Sequence, residues 1–84
     1  MKLYMVMLIF GKIAATAGPL PYGMHECKLR GDERMQDFRV MWKAAHEKGL
    51  IVKIDGKEVG INDHVIECLW ADKRPQIDKF KDSK

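Results

Sequence analysis

Imidazole and thiol side chains bind metal ions and act as bases or nucleophiles. In this chain a histidine lies close in sequence to a cysteine twice, as His25 with Cys27 and as His64 with Cys68. On a helix, His25 and Cys27 would point to different sides. On a strand, His64 and Cys68 would lie about 13 Å apart. Neither pair could share one ion at these spacings, so we expect no metal site and interpret the histidines as solvated or core-edge residues.

The two cysteines have two interpretations. Cys27 falls in the first turns of a predicted helix and Cys68 in a predicted last strand, so packing the helix on the sheet could bring their sulfurs into range. A disulfide closing a loop of this length contributes about 4 kcal/mol in the chain-entropy model. The alternative is a pair of buried free thiols that pack as small apolar residues. The sequence leaves both open.

The sequence contains no recognisable set of catalytic residues. Ser83 is the only serine and has no motif around it. The glycines have the wrong spacing for a phosphate-binding loop. We expect a protein that is not an enzyme, with no catalytic residue and no cofactor.

A small-ligand site is a further hypothesis, although no residue spacing requires one. Aromatic and basic side chains there could border a groove between the Pro-rich loop and a strand end, and they could stack on or pair with a nucleotide-like anion. The candidate residues are Tyr22, His25, Arg30, Lys73 and Arg74.

We do not expect a nucleic-acid partner. The formal net charge of the 84 residues is only +3. Basic side chains between Lys28 and Lys43 alternate with Glu and Asp, which is typical of a solvated helix face with i,i+4 pairs.

The apolar run from Leu3 to Phe10 is either the core of a secretory signal peptide or a buried strand. Lys2 and the Ala15-Thr16-Ala17 sequence fit a signal cleaved near Ala17. Lys12 interrupts the segment and favours the strand, in which Gly11 would be a bulge or bend before Lys12–Thr16 continues it. The run is too short to span a membrane.

A long helix is predicted over about Met24–Lys48, because apolar or small residues recur there at three- and four-residue spacing. The stripe contains Met24, Cys27, Gly31, Met35, Phe38, Trp42 and Ala45. Gly31 disfavours a helix unless something packs closely against it. A break at Gly31-Asp32 is the alternative.

The rest of the chain predicts a hairpin and a final strand. Asp55-Gly56 favours a tight turn between Leu50–Ile54 and Lys57–Val59. His64–Trp70 is rich in β-branched and apolar residues and could pair with the first strand, although a helix over Asn62–Ala71 is also possible. We expect one domain over residues 1–75 and a charged, frayed tail over 76–84.

The predicted fold class is therefore α+β. A small antiparallel sheet pairs a long N-terminal strand with the last strand, a short hairpin is added, and one long helix packs on one face. A single helix leaves the other face uncovered, so we expect a homodimer through the first strand. Its interface residues would be Tyr4, Val6, Leu8 and Phe10.

Two segments carry a resemblance: GPLPYGMHEC at Gly18–Cys27 and ECLWADKRP at Glu67–Pro75. Together they resemble a group of small phage and prophage proteins with a Gly-Pro-x-Pro-Tyr loop, an acid-Cys pair that opens a helix, and a Cys-containing strand before Asp-x-Arg-Pro. The resemblance implies a phage accessory protein. Such proteins often act against host defence by binding a host protein or a signalling nucleotide.

Two functions are therefore expected from the sequence. The first is a non-enzymatic, phage-type binding protein in the cytoplasm of the host cell, acting as an anti-defence inhibitor. The second is an exported structural or envelope protein that is stapled by a disulfide and cleaved near Ala17.

Overall fold

The computed structural model describes residues 1–78, which form one helix and five strands. They follow in the order β1 (Lys2–Ile9), β2 (Lys12–Ala17), α1 (Met24–Glu47), β3 (Lys53–Ile54), β4 (Lys57–Glu58) and β5 (His64–Ala71). The sheet is antiparallel with strand order β2-β1-β5, and β3-β4 forms a separate hairpin. Helix α1 packs on one face of the sheet, so the predicted α+β class is confirmed.

Strand β1 is the central strand, and its composition explains why. Both of its faces are apolar, and Leu3, Tyr4, Met5, Val6 and Ile9 are all buried. Its eight residues pair with β5 along their whole length, from Lys2 opposite Ala71 to Ile9 opposite His64. The predicted pairing of first and last strands is confirmed, and the helical interpretation of Asn62–Ala71 is wrong.

The chain reverses after β1 instead of continuing through a bend. Phe10 and Gly11 both have positive φ, 55° and 78°, so they form the two-residue turn of a hairpin that returns as β2. The expectation that Lys12–Thr16 extends the first strand is therefore wrong. Phe rarely adopts a positive φ, and the apolar pattern gives no other sign of the turn.

Helix α1 runs unbroken through Gly31 for 24 residues. Every member of the predicted stripe is buried or half-buried, from Met24 to Ala45. Gly31 is retained inside the helix because a Cβ at that position would lie 2.9 Å from Cγ2 of Ile66 in β5. The predicted close packing at this glycine is confirmed, and the alternative of a break is excluded.

The face of the sheet opposite α1, here called the back face, is covered within one chain. Tyr4 and Val6 are only 3% and 1% exposed, so they do not offer the free surface on which the predicted dimer depended. Leu8 and Phe10 are half-buried. The expectation of an exposed second face is wrong, because another segment of the same chain returns across it.

That segment is residues 72–78, which lead from β5 at one edge of the sheet to β2 at the other. Arg74 lies over the Tyr4 ring, with its Cζ 6.0 Å from the ring centroid, so the crossing is on the back face. Its guanidinium donates to the carbonyls of Thr16 and Gly18 and to the Thr16 hydroxyl. The Asp78 N–H donates to the Ile13 carbonyl, and the Ile13 N–H donates to Asp78 Oδ2.

The predicted frayed tail begins at residue 76, and within it Asp78 is hydrogen-bonded to the sheet. Asp78 bonds to β2 with distances of 2.8 Å and 2.7 Å. The remainder of that predicted tail, residues 79–84, lies outside the described residues.

The β3-β4 hairpin turns at Asp55 and Gly56, whose φ values of 57° and 75° match the tight turn predicted for this pair. The segment is attached to the end of α1 through Trp42. Its indole N–H donates to the Val59 carbonyl at 2.8 Å, and the Val59 side chain is buried.

Candidate functional site

A groove runs between α1 and β2 on the helix-covered face of the sheet, and we call it the α1–β2 groove. Its floor consists of Met5 and Met7 of β1 with Ala15 and Ala17 of β2. Its wall along the helix includes Arg30, Arg34 and Asp37, with Tyr22 at the end that leads into the helix. The cleft at the Tyr22 end has a volume of about 350 Å³.

The groove exists because α1 leans toward β5 and β2 has small side chains. Cys27 of α1 and Cys68 of β5 form a disulfide with Cα atoms 6.2 Å apart, and Gly31 contacts Ile66 one helical turn later. Both contacts hold α1 over β5. On the other side of the helix, alanines cannot fill the space above β2, so it stays open.

The groove continues toward the C-terminal half of α1. A second cleft of about 280 Å³ shares Arg34 and Asp37 with the first, and its floor is formed by Met7 of β1 with His64 and Ile66 of β5. It ends between Phe38 and Met41. Met41 is 56% exposed, which makes this end an apolar surface.

The wall of the groove carries charges of both signs. Arg30 donates to Glu26 at 2.9 Å, and its Cζ lies 4.6 Å from the centre of the Tyr22 ring. Arg34 lines both clefts together with Asp37. An occupant would therefore meet an apolar floor and a wall that is nearly neutral overall.

The structure divides the five predicted ligand-binding residues among different places. Tyr22 and Arg30 lie together in the groove. Arg74 is on the back face, where its guanidinium is bonded to main-chain carbonyls. His25 and Lys73 are exposed and line none of the clefts described above.

His64 lies at the far end of the groove, where it stacks on Phe38 with ring centroids 4.2 Å apart. Its Nδ1 atom is buried and has no hydrogen-bond partner within residues 1–78. Burial lowers the pKa of His64 below its usual value of 6.5. The imidazole is therefore held in the neutral form near neutral pH.

Within the described part of the chain, no cluster of three or more His, Cys, Asp or Glu side chains is placed to hold a metal ion. Both thiols are joined to each other. In the same residues, no helix has the length and apolar character needed to cross a membrane.

Comparison with known proteins adds no assignment. The chain matches no protein-family model, no curated protein and no solved structure. A function must therefore be argued from the groove and from the surfaces of the sheet.

Sequence reasoning missed most of the groove. In the sequence, Ala15 and Ala17 fit a cleavage site, and Arg34 fits a solvated helix face. The signal that could have located the site is the contrast between bulky residues on β1 and small ones on β2. That contrast is informative only once the hairpin turn at Phe10-Gly11 is recognised.

Proposed function

We propose that this is a non-enzymatic binding protein whose α1–β2 groove takes a segment of a partner protein. The observation that carries the proposal is the apolar floor over Ala15 and Ala17, open along its length and flanked by charges of both signs. Apolar side chains of a bound segment would cover the alanines. Its polar groups would meet Arg34 and Asp37 on the wall.

A protein segment suits this groove better than a nucleotide does. A base needs a free aromatic face, but one face of Tyr22 is covered by Arg30. A phosphate needs excess positive charge, but Glu33 and Asp37 lie beside Arg30 and Arg34. An apolar groove is a common binding site for the apolar face of an amphipathic helical peptide.

The biological setting that fits this proposal is a phage accessory protein that acts in the cytoplasm of the host cell and inhibits a host defence component. It is supported by the resemblance of Gly18–Cys27 and Glu67–Pro75 to small phage proteins. The partner would then be a host protein.

Site-specific photocrosslinking in the native host tests the proposal. A photoreactive phenylalanine analogue replaces Ala17 in the groove or, as the control, Gln36 on the exposed side of α1. We expect one host protein to crosslink from position 17 and not from position 36. Equal crosslinking from both positions would contradict a groove-directed partner.

Purified components then give a quantitative test. Ala17→Trp fills the groove from an exposed position on β2, so we expect it to weaken binding of the crosslinked protein by about tenfold or more, whereas Gln36→Trp leaves binding unchanged. Binding is measured by calorimetry. A thermal shift with cyclic nucleotides that Ala17→Trp abolishes would instead assign the groove to a nucleotide.

The Cys27–Cys68 disulfide favours a second candidate, an exported structural or envelope protein, because disulfides persist in oxidising compartments. Cleavage near Ala17 would remove β1 and β2, which are two of the three strands of the sheet. Intact mass of the protein from its native host distinguishes the two candidates. Loss of residues 1–17 with a retained disulfide supports export, and full length with free thiols excludes it.

A homodimer also belongs to the proposal. Because Tyr4 and Val6 are buried within one chain, the contact between copies must use another surface.

A further inference from the structure

The two edges of the sheet differ in how they are covered. At the β2 edge, Ile13 and Thr16 are hydrogen-bonded to Asp78 and Arg74. Along the β5 edge, no main-chain bond to another segment is made within residues 1–78. An uncovered edge strand of eight residues is a template for pairing with another strand.

The hydrogen-bonding groups on that edge follow from the register. The Leu20 N–H donates to the Leu3 carbonyl, so the main chain of Leu3 points toward the β2 side of the sheet. In an antiparallel pair, two opposed residues either bond each other or, at alternate positions, both turn their N–H and C=O groups away. Trp70 lies opposite Leu3, so its N–H and C=O point away from β1. The same alternation turns the main chains of Cys68 and Ile66 to the open edge.

The β5 edge also has little of the usual protection against pairing. Its sequence HVIECLWA contains one charged residue, Glu67, and no proline. Trp70 is 49% exposed on the helix-covered face. Beside the edge lies a cleft of about 290 Å³ between α1 and β5, lined by Lys28, Gly31, Asp32 and Ile66 among others.

We propose that β5 pairs with β5 of a second copy, antiparallel and around a twofold axis at Cys68, to give a continuous six-stranded sheet. Centring on Glu67 would place two carboxylates opposite each other. Centring on Ile66 would pair only residues 64–68. Centring on Cys68 pairs residues 65–71 without opposing like charges.

This register also accounts for the exposed tryptophan and the open cleft. Ile66 of one copy lies opposite Trp70 of the other, so each indole enters the cleft beside the other copy's Ile66. The sulfur of Cys68 is already bonded to Cys27, so the contact is non-covalent. The α1–β2 groove lies on the other side of α1, and this inference does not depend on the function proposed for that groove.

Sedimentation over a range of concentrations tests the pairing. We expect the full chain to form a species of twice 9.7 kDa, and Trp70→Ala to weaken its association by about thirtyfold. Leu29→Ala is the matched control, because Leu29 is 50% exposed on the helix side away from the sheet, and it should not change association. A monomer at every concentration, or a dimer unaffected by Trp70→Ala, would overturn the proposal.

Two further measurements do not depend on the stability of the Trp70 variant. In the wild type, amide exchange at Ile66, Cys68 and Trp70 should slow as protein concentration rises, and no change would overturn the pairing. The register is tested with the double variant Glu67→Cys/Leu69→Cys. It should form disulfides between two copies, because position 67 of one copy lies directly opposite position 69 of the other. Crosslinking through the single substitution Glu67→Cys would overturn the Cys68-centred register.

Discussion

Gly31 of α1 lies so close to Ile66 of β5 that a Cβ at position 31 would be 2.9 Å from Cγ2 of Ile66 and 3.5 Å from its Cβ. One turn earlier in the helix, Cys27 is bonded to Cys68, two residues further along β5. These two contacts set the distance between helix and strand. They also hold α1 away from β2, which leaves the groove open.

Gly31→Ala should destabilise the fold even though alanine is the better helix former. Alanine gains about 1 kcal/mol of helix propensity, but the added methyl meets a branched side chain with a stiff χ1. Overpacking of this kind costs about 1 to 3 kcal/mol, so we expect a small net loss. Urea unfolding measures the change in the free energy of unfolding.

The Ile66 contact can be tested directly with a double-mutant cycle. In an Ile66→Ala background the opposing Cγ2 is absent, so Gly31→Ala should be neutral or stabilise by up to about 1 kcal/mol. Gln36→Ala on the exposed side of α1 is the control for substitution in the same helix and should change stability by less than about 0.5 kcal/mol. Equal effects of Gly31→Ala in both backgrounds would show that Ile66 is not the obstacle.

Reduction of the Cys27–Cys68 disulfide should cost about 4 kcal/mol, because the bond closes a loop across a sequence separation of 41 residues. That is a large part of the stability of a domain this small. Urea unfolding of the wild type with and without a reductant gives the value.

The double variant Cys27→Ala/Cys68→Ala is the control for the reductant. It should unfold at low urea in both conditions, with no response to the reductant. If the reductant frees both thiols of the wild type and the urea midpoint of unfolding does not change, the bond does not stabilise the fold.

The elements whose signals are local could be predicted from the sequence. The apolar stripe from Met24 to Ala45 located the buried side of α1, because its 3.6-residue period depends only on residues within the helix. Asp55-Gly56 located a turn for the same reason. The two apolar faces of β1 correctly indicated a strand covered on both sides.

What covers the second face could not be predicted, because it depends on contacts between distant parts of the chain. Arg74 is separated from Thr16 by 58 residues, and Asp78 from Ile13 by 65 residues. A charged segment after a strand is typical of a frayed terminus, so the pattern does not indicate that this segment covers the sheet. The sequence therefore predicts that a second copy covers that face. The position of Arg74, apart from Tyr22 and Arg30, could not be predicted for the same reason, since its hydrogen bonds are all to residues distant in the chain.

Arg74→Lys should loosen the segment that covers the β2 edge. A lysine ammonium cannot reproduce the planar set of donors that reaches the Thr16 carbonyl, the Thr16 hydroxyl and the Gly18 carbonyl. We expect a loss of about 1 kcal/mol in the free energy of unfolding. We also expect faster amide exchange at Ile13, whose N–H donates to Asp78 in the same segment.

Asp78→Ala provides the comparison for that measurement. It removes the acceptor of the Ile13 N–H directly, so exchange at Ile13 should rise while the contacts of Arg74 persist. Unchanged exchange at Ile13 in both variants would mean that residues 72–78 do not protect the edge.

His64 should make stability depend on pH near neutrality. Burial lowers its pKa in the folded state, while the unfolded chain titrates near the usual value of 6.5. Below that value the unfolded state binds more protons than the folded state, so the free energy of unfolding falls as the pH falls through this range toward the folded pKa. Above it, the full stability is present. Urea unfolding at about pH 7.5 and about pH 5.5 measures the difference.

The variant His64→Leu isolates this contribution. Leucine keeps an apolar contact with Phe38 but has no proton to bind, so the difference between the two pH values should shrink relative to the wild type. His25→Gln is the control, because His25 is exposed on the first turn of α1, and it should keep the wild-type dependence. If His64→Leu and the wild type lose the same stability on acidification, groups other than His64 determine the response. The unpartnered Nδ1 would then be protonated equally easily in the folded and the unfolded state.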